Sequence, residues 1–333
     1  MPSIWQRHPR YAFLALLVFA CTLYLFYPIQ QRSVFKPIYI FKENTLANRL
    51  ARSDHIYEKA LSSRQDMIKK FGPSPKEIAL FPPDTAPWPA YTVWDFFPGA
   101  YNCPHEVERV GTVGDGGRWT CGLSHLADKE DCIIYTFGNN YESTFEAEIL
   151  DSTRHCQIWG YDYRTKSLGP DIPKAHLGRT HFRRFGLAGT DKHGPSDRPH
   201  MYTLESLIKL NGHSHIDILK VDAEGLEFEA LTTAIKPYLE SGGALPFGQL
   251  LIEIHLWGKS FAEFLSWWES LEAAGLRPFW GEPNLVYQNY NKHGTTDLAQ
   301  YSFLNVKGDN VFITELRRSS SEQHIEHSQG NLD

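Results

Sequence analysis

Residues 217–231 read DILKVDAEGLEFEAL. A β-prone apolar run ends on Asp222 and Glu224, one residue apart, and passes at once into Gly225 and a stretch with helical spacing. Two carboxylates placed so can do general acid–base work: one takes the proton of a hydroxyl while the other holds the reacting group. His255 closes the next apolar run, QLLIEIH, and is a rival base, since an imidazole titrates near neutral pH. Upstream, Phe137-Gly138-Asn139-Asn140 ends one run and Asp162 ends another. A glycine there lets backbone approach a ligand, a following helix start offers free N–H groups, and an acid can accept both hydroxyls of a ribose. Each residue also has a plainer reading. Gly138-Asn139 could be an ordinary turn, Asp162 a surface charge, Asp222 the N-cap of a helix over 225–239, Glu224 a partner of Lys220, and His255 a structural hydrogen bond. Four successive strand ends delivering polar groups to one rim are harder to set aside than any one of them.

The elements that must position these residues alternate. Strands are predicted at 132–137, 156–161, 181–187, 216–222, 249–255, 277–281 and 301–306, with helices at 143–151, 203–210, 225–239 and 260–274. Such alternation predicts an α/β sheet, mostly parallel, with ligands bound beyond the carboxyl ends of its strands. The run Gly114-Asp115-Gly116-Gly117-Arg118-Trp119 lacks the Lys-Ser/Thr of a phosphate loop. It reads as a turn that lets Trp119 pack and Cys121 find a partner, or as a lid whose Asp115 or Arg118 touches a ligand. Trp257, Trp267 and Trp268 read as packing residues. Cysteine and histidine spacing does not match a zinc site. Asp222, Glu224 and His255 could together hold a hard divalent ion, but nothing else in the sequence demands one and no metal is expected.

The run LKVDAEGLEFEAL, preceded by Tyr202-Thr203-Leu204-Glu205-Ser206-Leu207 and followed by Leu251-Ile252-Glu253-Ile254-His255, resembles the signature of FkbM-type S-adenosylmethionine-dependent methyltransferases. The segment GDGGRWTCG with CIIYTFGNN resembles a membrane-anchored, methyltransferase-like subgroup. The resemblance covers about residues 100–306. It implies a class I (Rossmann-like) methyltransferase fold, a seven-stranded sheet with one antiparallel strand near Ser302–Val306, and S-adenosylmethionine as cofactor. Phe137, Gly138 and Asn139 would line its methionine end, Asp162 would take the ribose hydroxyls, and Leu187 and Ala188 would lie along the adenine. Asp222 and Glu224 would stand beside the transferring methyl, holding the cofactor's amine or drawing the proton from an acceptor. The first loop is Phe-Gly-Asn-Asn where many methyltransferases carry three spaced glycines, which leaves a non-binding descendant as an alternative.

The 333 residues carry a net charge of −6 and no sustained basic run, so no nucleic-acid partner is expected. Residues 11–29 are uncharged and follow Arg7 and Arg10. They read as a signal-anchor, a transmembrane helix that makes the chain a single-pass type II membrane protein. Bulky Leu23, Tyr24, Phe26 and Tyr27 stand where a cleavage site would need small residues. Arg32 and Lys36 on the far side weaken the charge asymmetry. The expected organisation is a cytosolic head at 1–10, the anchor at 11–29, a partly helical stem at 30–71, a Pro-rich linker at 72–90, the methyltransferase domain at 91–316 and a disordered tail at 317–333. The stem helix could support an oligomer. In the Golgi or ER lumen Cys103, Cys121, Cys132 and Cys156 could form two disulfides, with three pairings open. The function expected is O-methylation of a hydroxyl on a glycan or small molecule. The alternatives are a catalytically silent, methyltransferase-like binding protein and a type II membrane glycosyltransferase.

Overall fold

The computed structural model describes residues 9–26, 44–84, 86–87, 91–292 and 294–314. The chain divides into two compact units, 1–43 and 44–333. The first contains helix α1, Pro9–Phe26. Its 18 residues make a helix about 27 Å long at ~1.5 Å per residue, against roughly 30 Å for a bilayer core. Among the described residues no helix is long and apolar enough to cross a membrane. Residues 27–29 of the expected anchor lie outside the described residues, as do most of the head and the tail.

The second unit opens with α2 (Leu46–Phe71), followed by β1 (Val107–Val110), β2 (Arg118–Cys121), β3 (Ile133–Phe137), α3 (Thr144–Ser152), β4 (Gln157–Tyr161) and β5 (Thr180–Arg183). Then come β6 (Phe185–Leu187), β7 (His200–Tyr202), α4 (Leu204–Asn211), β8 (Ile216–Val221) and α5 (Glu227–Ser241). The unit finishes with β9 (Phe247–His255), α6 (Phe261–Ala274), β10 (Leu276–Pro283), α7 (Leu285–Tyr290) and β11 (Leu298–Asn305). Seven strands form one sheet in the order β5-β4-β3-β8-β9-β11-β10. The pairs among β5, β4, β3, β8 and β9 are parallel, and β11 runs antiparallel to both its neighbours. The alternating pattern predicts the parallel part of this sheet, and the family resemblance implies its seven strands and the antiparallel one among them.

All six residues of β8 and all nine of β9 are buried. Parallel strands covered on both faces read as continuous apolar runs, which is why these two stand out in the sequence. Successive side chains point to opposite faces. Tyr135, Phe137, Leu219, Val221, Leu250 and Ile252 enter the core under α4, α5 and α6. Ile134, Ile158, Ile218 and Leu251 enter the core on the other face, with Phe145 and Ile149 of α3.

Two segments differ from the expected organisation, and the glycine-rich run follows the first of its two readings. The helix placed in the stem lies within the second unit: Ile68 joins the core and Ser53 donates to the Asn102 carbonyl at 2.8 Å. Arg64, 4% exposed, makes a two-pronged pair with Glu272 of α6 at 2.7 and 2.9 Å and donates to the Phe96 carbonyl. The compact unit therefore starts before residue 72, and the expected boundary near Tyr91 falls inside it. The run 181–187 breaks at Arg184 into β5, which joins the large sheet, and β6, which pairs with β7. The glycine-rich run is the turn of a β1–β2 hairpin, with Trp119 stacked on Trp280 at 4.0 Å between ring centres. Of the three pairings open to the cysteines, the fold selects Cys103–Cys121 and Cys132–Cys156.

Candidate active site

After β3 the chain builds outward through β4 and β5, and β8 then starts the other half of the sheet on the opposite side of β3. A crevice at such a reversal, beyond the carboxyl ends of the strands, is where open α/β sheets bind ligands. Here the ends of three strands are laced together. The Asp222 N–H donates to the Phe137 carbonyl at 3.1 Å and the Gly138 N–H to the Tyr161 carbonyl at 3.0 Å. Gly138 has φ +75°, and a Cβ on it would lie 1.8 Å from the Asp222 carbonyl oxygen. Only glycine fits, so the Gly138 turn is a requirement of the crevice itself.

Two hollows meet at Gly138. The smaller, about 20 Å³, has apolar walls from Phe137, Leu187, Ala223 and Leu226, with Tyr163 and Asp162 at its side. Asp162 is 2% exposed, its Oδ2 accepting the Asn140 N–H at 3.0 Å and its Oδ1 the Arg164 N–H at 2.7 Å. Its carboxylate is thus pinned with both oxygens at the wall. Leu187 lines this hollow, whereas Ala188 does not and donates its N–H to the Tyr202 carbonyl of β7. Asn139 turns inward. Its amide donates to buried Glu146 at 2.7 Å, and Lys220 reaches the same Glu146 oxygen at 3.1 Å. Lys220 is therefore Glu146's partner, not that of Glu224.

The larger hollow, about 430 Å³, opens over the ends of β8 and β9. Asp222 stands on its floor, a quarter of its side chain exposed. The N-cap position of α5 falls on Leu226, so Asp222 does not cap that helix. Arg118, from the hairpin, lies 3.1 Å from Glu253 and 3.8 Å from Asp222. The His255 Nε2 is 3.8 Å from the other Asp222 oxygen. Burial, then the nearby Glu253, push the Asp222 pKa up to about 7 against the opposing pull of Arg118, His255 and Lys220. Burial lowers the His255 pKa, but its hydrogen bond to Glu227 and the carboxylates of Glu227, Asp222 and Glu253 outweigh it and raise the ring above its ordinary value.

Glu227 belongs to the signature run LKVDAEGLEFEAL, but the sequence assigns it no role of its own. Fully buried, it accepts the His255 N–H at 2.8 Å, faces its Nδ1 at 3.2 Å, and accepts the Gly225 N–H at 2.7 Å. It fixes the ring so that Nε2 faces Asp222. The available signal is its place three residues after Glu224 in the same run. Arg118, a ligand contact only in the second reading of the glycine-rich run, is the buried cation of the acid cluster. Glu224 projects to the rim, half exposed, with φ +49°, and pairs with Arg164. Gly138, Asp222, Arg164 and Glu224 line both hollows, so this ion pair forms part of the wall between them. Trp267 and Trp268 are packed in the core, but Trp257 is 45% exposed and lines the larger hollow. Among the described residues no cluster of His, Cys, Asp and Glu is arranged to hold a metal ion.

A family model described as a methyltransferase domain matches residues 61–295. Two curated relatives named probable methyltransferase-like protein 24, from Homo sapiens and Rattus norvegicus, are 28% and 29% identical over 142 and 143 residues. The match covers 40% of this chain in both cases, and the chain spans 35% and 36% of the relatives' lengths. Among solved structures, a Methanococcus jannaschii fibrillarin pre-rRNA processing protein is 12% identical with a TM-score of 0.33, covering 54% of this chain and 69% of that one. A StiE O-MT fragment is 9% identical with a TM-score of 0.32, covering 64% and 77%. Structural likeness at this level carries no argument about function.

Proposed function

The chain belongs to the methyltransferase-domain family, and on that footing we propose that it is an S-adenosylmethionine-dependent O-methyltransferase with Asp222 as its base. The observation that carries the reading is the meeting of Asp222, His255 and Arg118 at the strand ends beside Gly138, with a second, apolar hollow on the other side. The residues of that second hollow fit a nucleoside: apolar walls for a flat base and the pinned Asp162 carboxylate for ribose hydroxyls. When bound, S-adenosylmethionine supplies an electrophilic methyl group on a sulfonium. Leu187 and Leu226 would face its base, Asp162 its ribose, and Gly138 would let the backbone come close. Of the three candidate bases, Asp222 suits the task best. Its pKa near 7 leaves it largely ionised just above neutrality and strong enough to draw a hydroxyl proton. His255, its ring raised above the ordinary value chiefly by its hydrogen bond to Glu227, serves instead to orient Asp222 and the acceptor oxygen. Glu224, out on the rim, pairs with Arg164 in the wall between the hollows.

The FkbM-type assignment, the type II anchor and the Golgi or ER lumen belong to the same proposal. They are supported by the DAEG run, by the uncharged residues of α1 and by two cysteine pairs suited to an oxidising compartment. One observation favours a second reading, the methyltransferase-shaped binding protein: the small hollow, as it stands with the Arg164–Glu224 pair in its wall, holds about one water. Thermal melting of the full-length chain with S-adenosylmethionine, S-adenosylhomocysteine or a UDP-sugar separates these. A ligand that binds only the folded state at about 100 times its Kd adds roughly 2.7 kcal/mol. Stabilisation by both adenosyl compounds, lost in Asp162→Ala, is the expected result. No shift at saturation would leave the binding-protein reading, and a shift with the UDP-sugar alone would point to glycosyl transfer.

A further inference from the structure

The methyl-transfer reading leaves the acceptor open, and the larger hollow narrows it. Its cations are already engaged: Arg118 with Glu253, Lys220 with Glu146, Arg164 with Glu224 and His255 with Glu227. An anionic acceptor would find no spare positive charge there. A cationic one would share the cleft with the sulfonium of the proposed cofactor, and like charges in a partly desolvated site repel strongly. The acceptor that fits is uncharged. Oxygen acceptors dominate the walls, with Asp115 and Glu142 on one side and Asp222 and Glu224 on the floor and rim. Such a lining is matched to a ligand that brings many O–H donors. The remaining wall is aromatic. Trp257 is the one exposed tryptophan among the described residues. Its ring lies 4.7 Å from that of His255 and 6.3 Å from that of Tyr287, and Tyr290, 79% exposed, continues the strip along α7. Large aromatic faces left open beside a polar cleft mark a binding surface.

We propose that Trp257, Tyr287 and Tyr290 form a stacking platform for a neutral carbohydrate ring, which presents one of its hydroxyls to Asp222. The proposal rests on the methyl-transfer reading of this site. The step balances: the hydroxyl proton goes to the Asp222 carboxylate, the oxygen forms a bond to the methyl carbon, and the carbon–sulfur bond breaks to leave S-adenosylhomocysteine. A sugar ring suits the wall because it has an apolar C–H face to lie on an indole and a rim of hydroxyls for the carboxylates. A simple phenol offers the face without the rim.

The test uses the full-length chain with neutral methyl glycosides and disaccharides, and with catechol and ethanolamine as contrasts. Binding is read by tryptophan fluorescence with S-adenosylhomocysteine present, and turnover by its release from S-adenosylmethionine. A neutral glycoside should quench fluorescence and be methylated. Trp257→Ala should raise its half-saturating concentration at least tenfold, with Trp257→Phe recovering most of the loss and the cofactor-induced melting shift unchanged in both. Cofactor binding without glycoside binding, methylation of catechol or ethanolamine in preference, or a Trp257→Ala variant with unchanged glycoside affinity would each overturn the platform. Absence of any cofactor shift together with Trp257-dependent glycoside binding would instead sink methyl transfer and keep the platform. Absence of both would remove both.

Discussion

The two hollows that share Gly138 are built in opposite ways. The smaller is mostly apolar and lined from β3, β4, β6 and the β8–α5 turn. The larger is polar and open, and it draws Asp115 and Arg118 from a hairpin, His255 and Trp257 from the end of β9 and the turn beyond it, and Tyr287 from a short helix. The first has the form of a receptacle for one ligand of fixed shape. The second is a cluster of charges whose properties come from mutual proximity: burial and Glu253 push the Asp222 carboxyl up to about 7, while Arg118 and His255, from other segments, pull against them. The difference separates two kinds of site, one specified by backbone and one by electrostatics, and substitutions should divide along the same line.

The largest effect is expected where the two share a wall. Gly138→Ala would drive a methyl group to 1.8 Å from the Asp222 carbonyl oxygen at a backbone angle that disfavours any side chain. Overpacking and the left-handed conformation together should cost about 2–4 kcal/mol, read as a lower midpoint in urea. Both cofactor stabilisation and turnover should vanish together. A variant with wild-type stability that kept one of the two activities would mean that the hollows do not depend on the same lacing.

Asp222→Asn should divide them. Removing a general base typically lowers the rate by about 10²–10⁴, while the cofactor-induced melting shift should survive. The effect of pH on stability has a definite sign. The folded pKa, about 7, lies above the ordinary carboxyl value. Asp222 therefore favours the fold when protonated, in acid, and that contribution is lost as pH rises through 7. The asparagine lacks this titration. Its melting temperature should gain on the wild type between pH 5 and pH 8, by a few degrees. A difference that stays flat across that range would show that Asp222 is ionised in the fold at ordinary carboxylate pH, and the electrostatic account of this hollow would fail.

The same division decides what can be read from the sequence. Strands β3, β4, β8 and β9 are legible because parallel strands buried on both faces are continuous apolar runs, and with them come Gly138, Asp162, Asp222 and His255 at their ends. The break at Arg184 is not legible, because HFRRFGL has the composition of one strand and only pairing to two different sheets divides it. Helix α2 is legible as amphipathic, but the sequence does not reveal that Arg64 finds Glu272 more than two hundred residues away. Asn139 lines the larger hollow, and the sequence does not show that Glu146 and Thr136 hold its amide. Glu227 is given no role and Trp257 is read as packing for one reason. A carboxylate bonded to a neighbouring strand and an indole turned out of the core look, in one dimension, like any acid on a helix and any packed tryptophan.

The smallest effect on the fold, and the sharpest on the comparison, belongs to the ion pair in the shared wall. Arg164 and Glu224 are 31% and 51% exposed at their side chains, and exposed pairs contribute about 0–1 kcal/mol. Arg164→Ala should therefore leave the melting temperature almost unchanged. Yet both residues line the small hollow, which as it stands holds only about one water, so a nucleoside needs its wall to move. If the pair is a gate, stopped-flow binding of S-adenosylhomocysteine to Arg164→Ala should be several-fold faster than to the wild type, and Glu224→Gln should behave alike because it removes the same ion pair. Were Arg164 a ligand contact instead, association would be unchanged and dissociation alone would quicken, with Glu224→Gln close to the wild type. The first result would make the two hollows successive compartments separated by a switchable wall. The second would make them one site with a shared arginine.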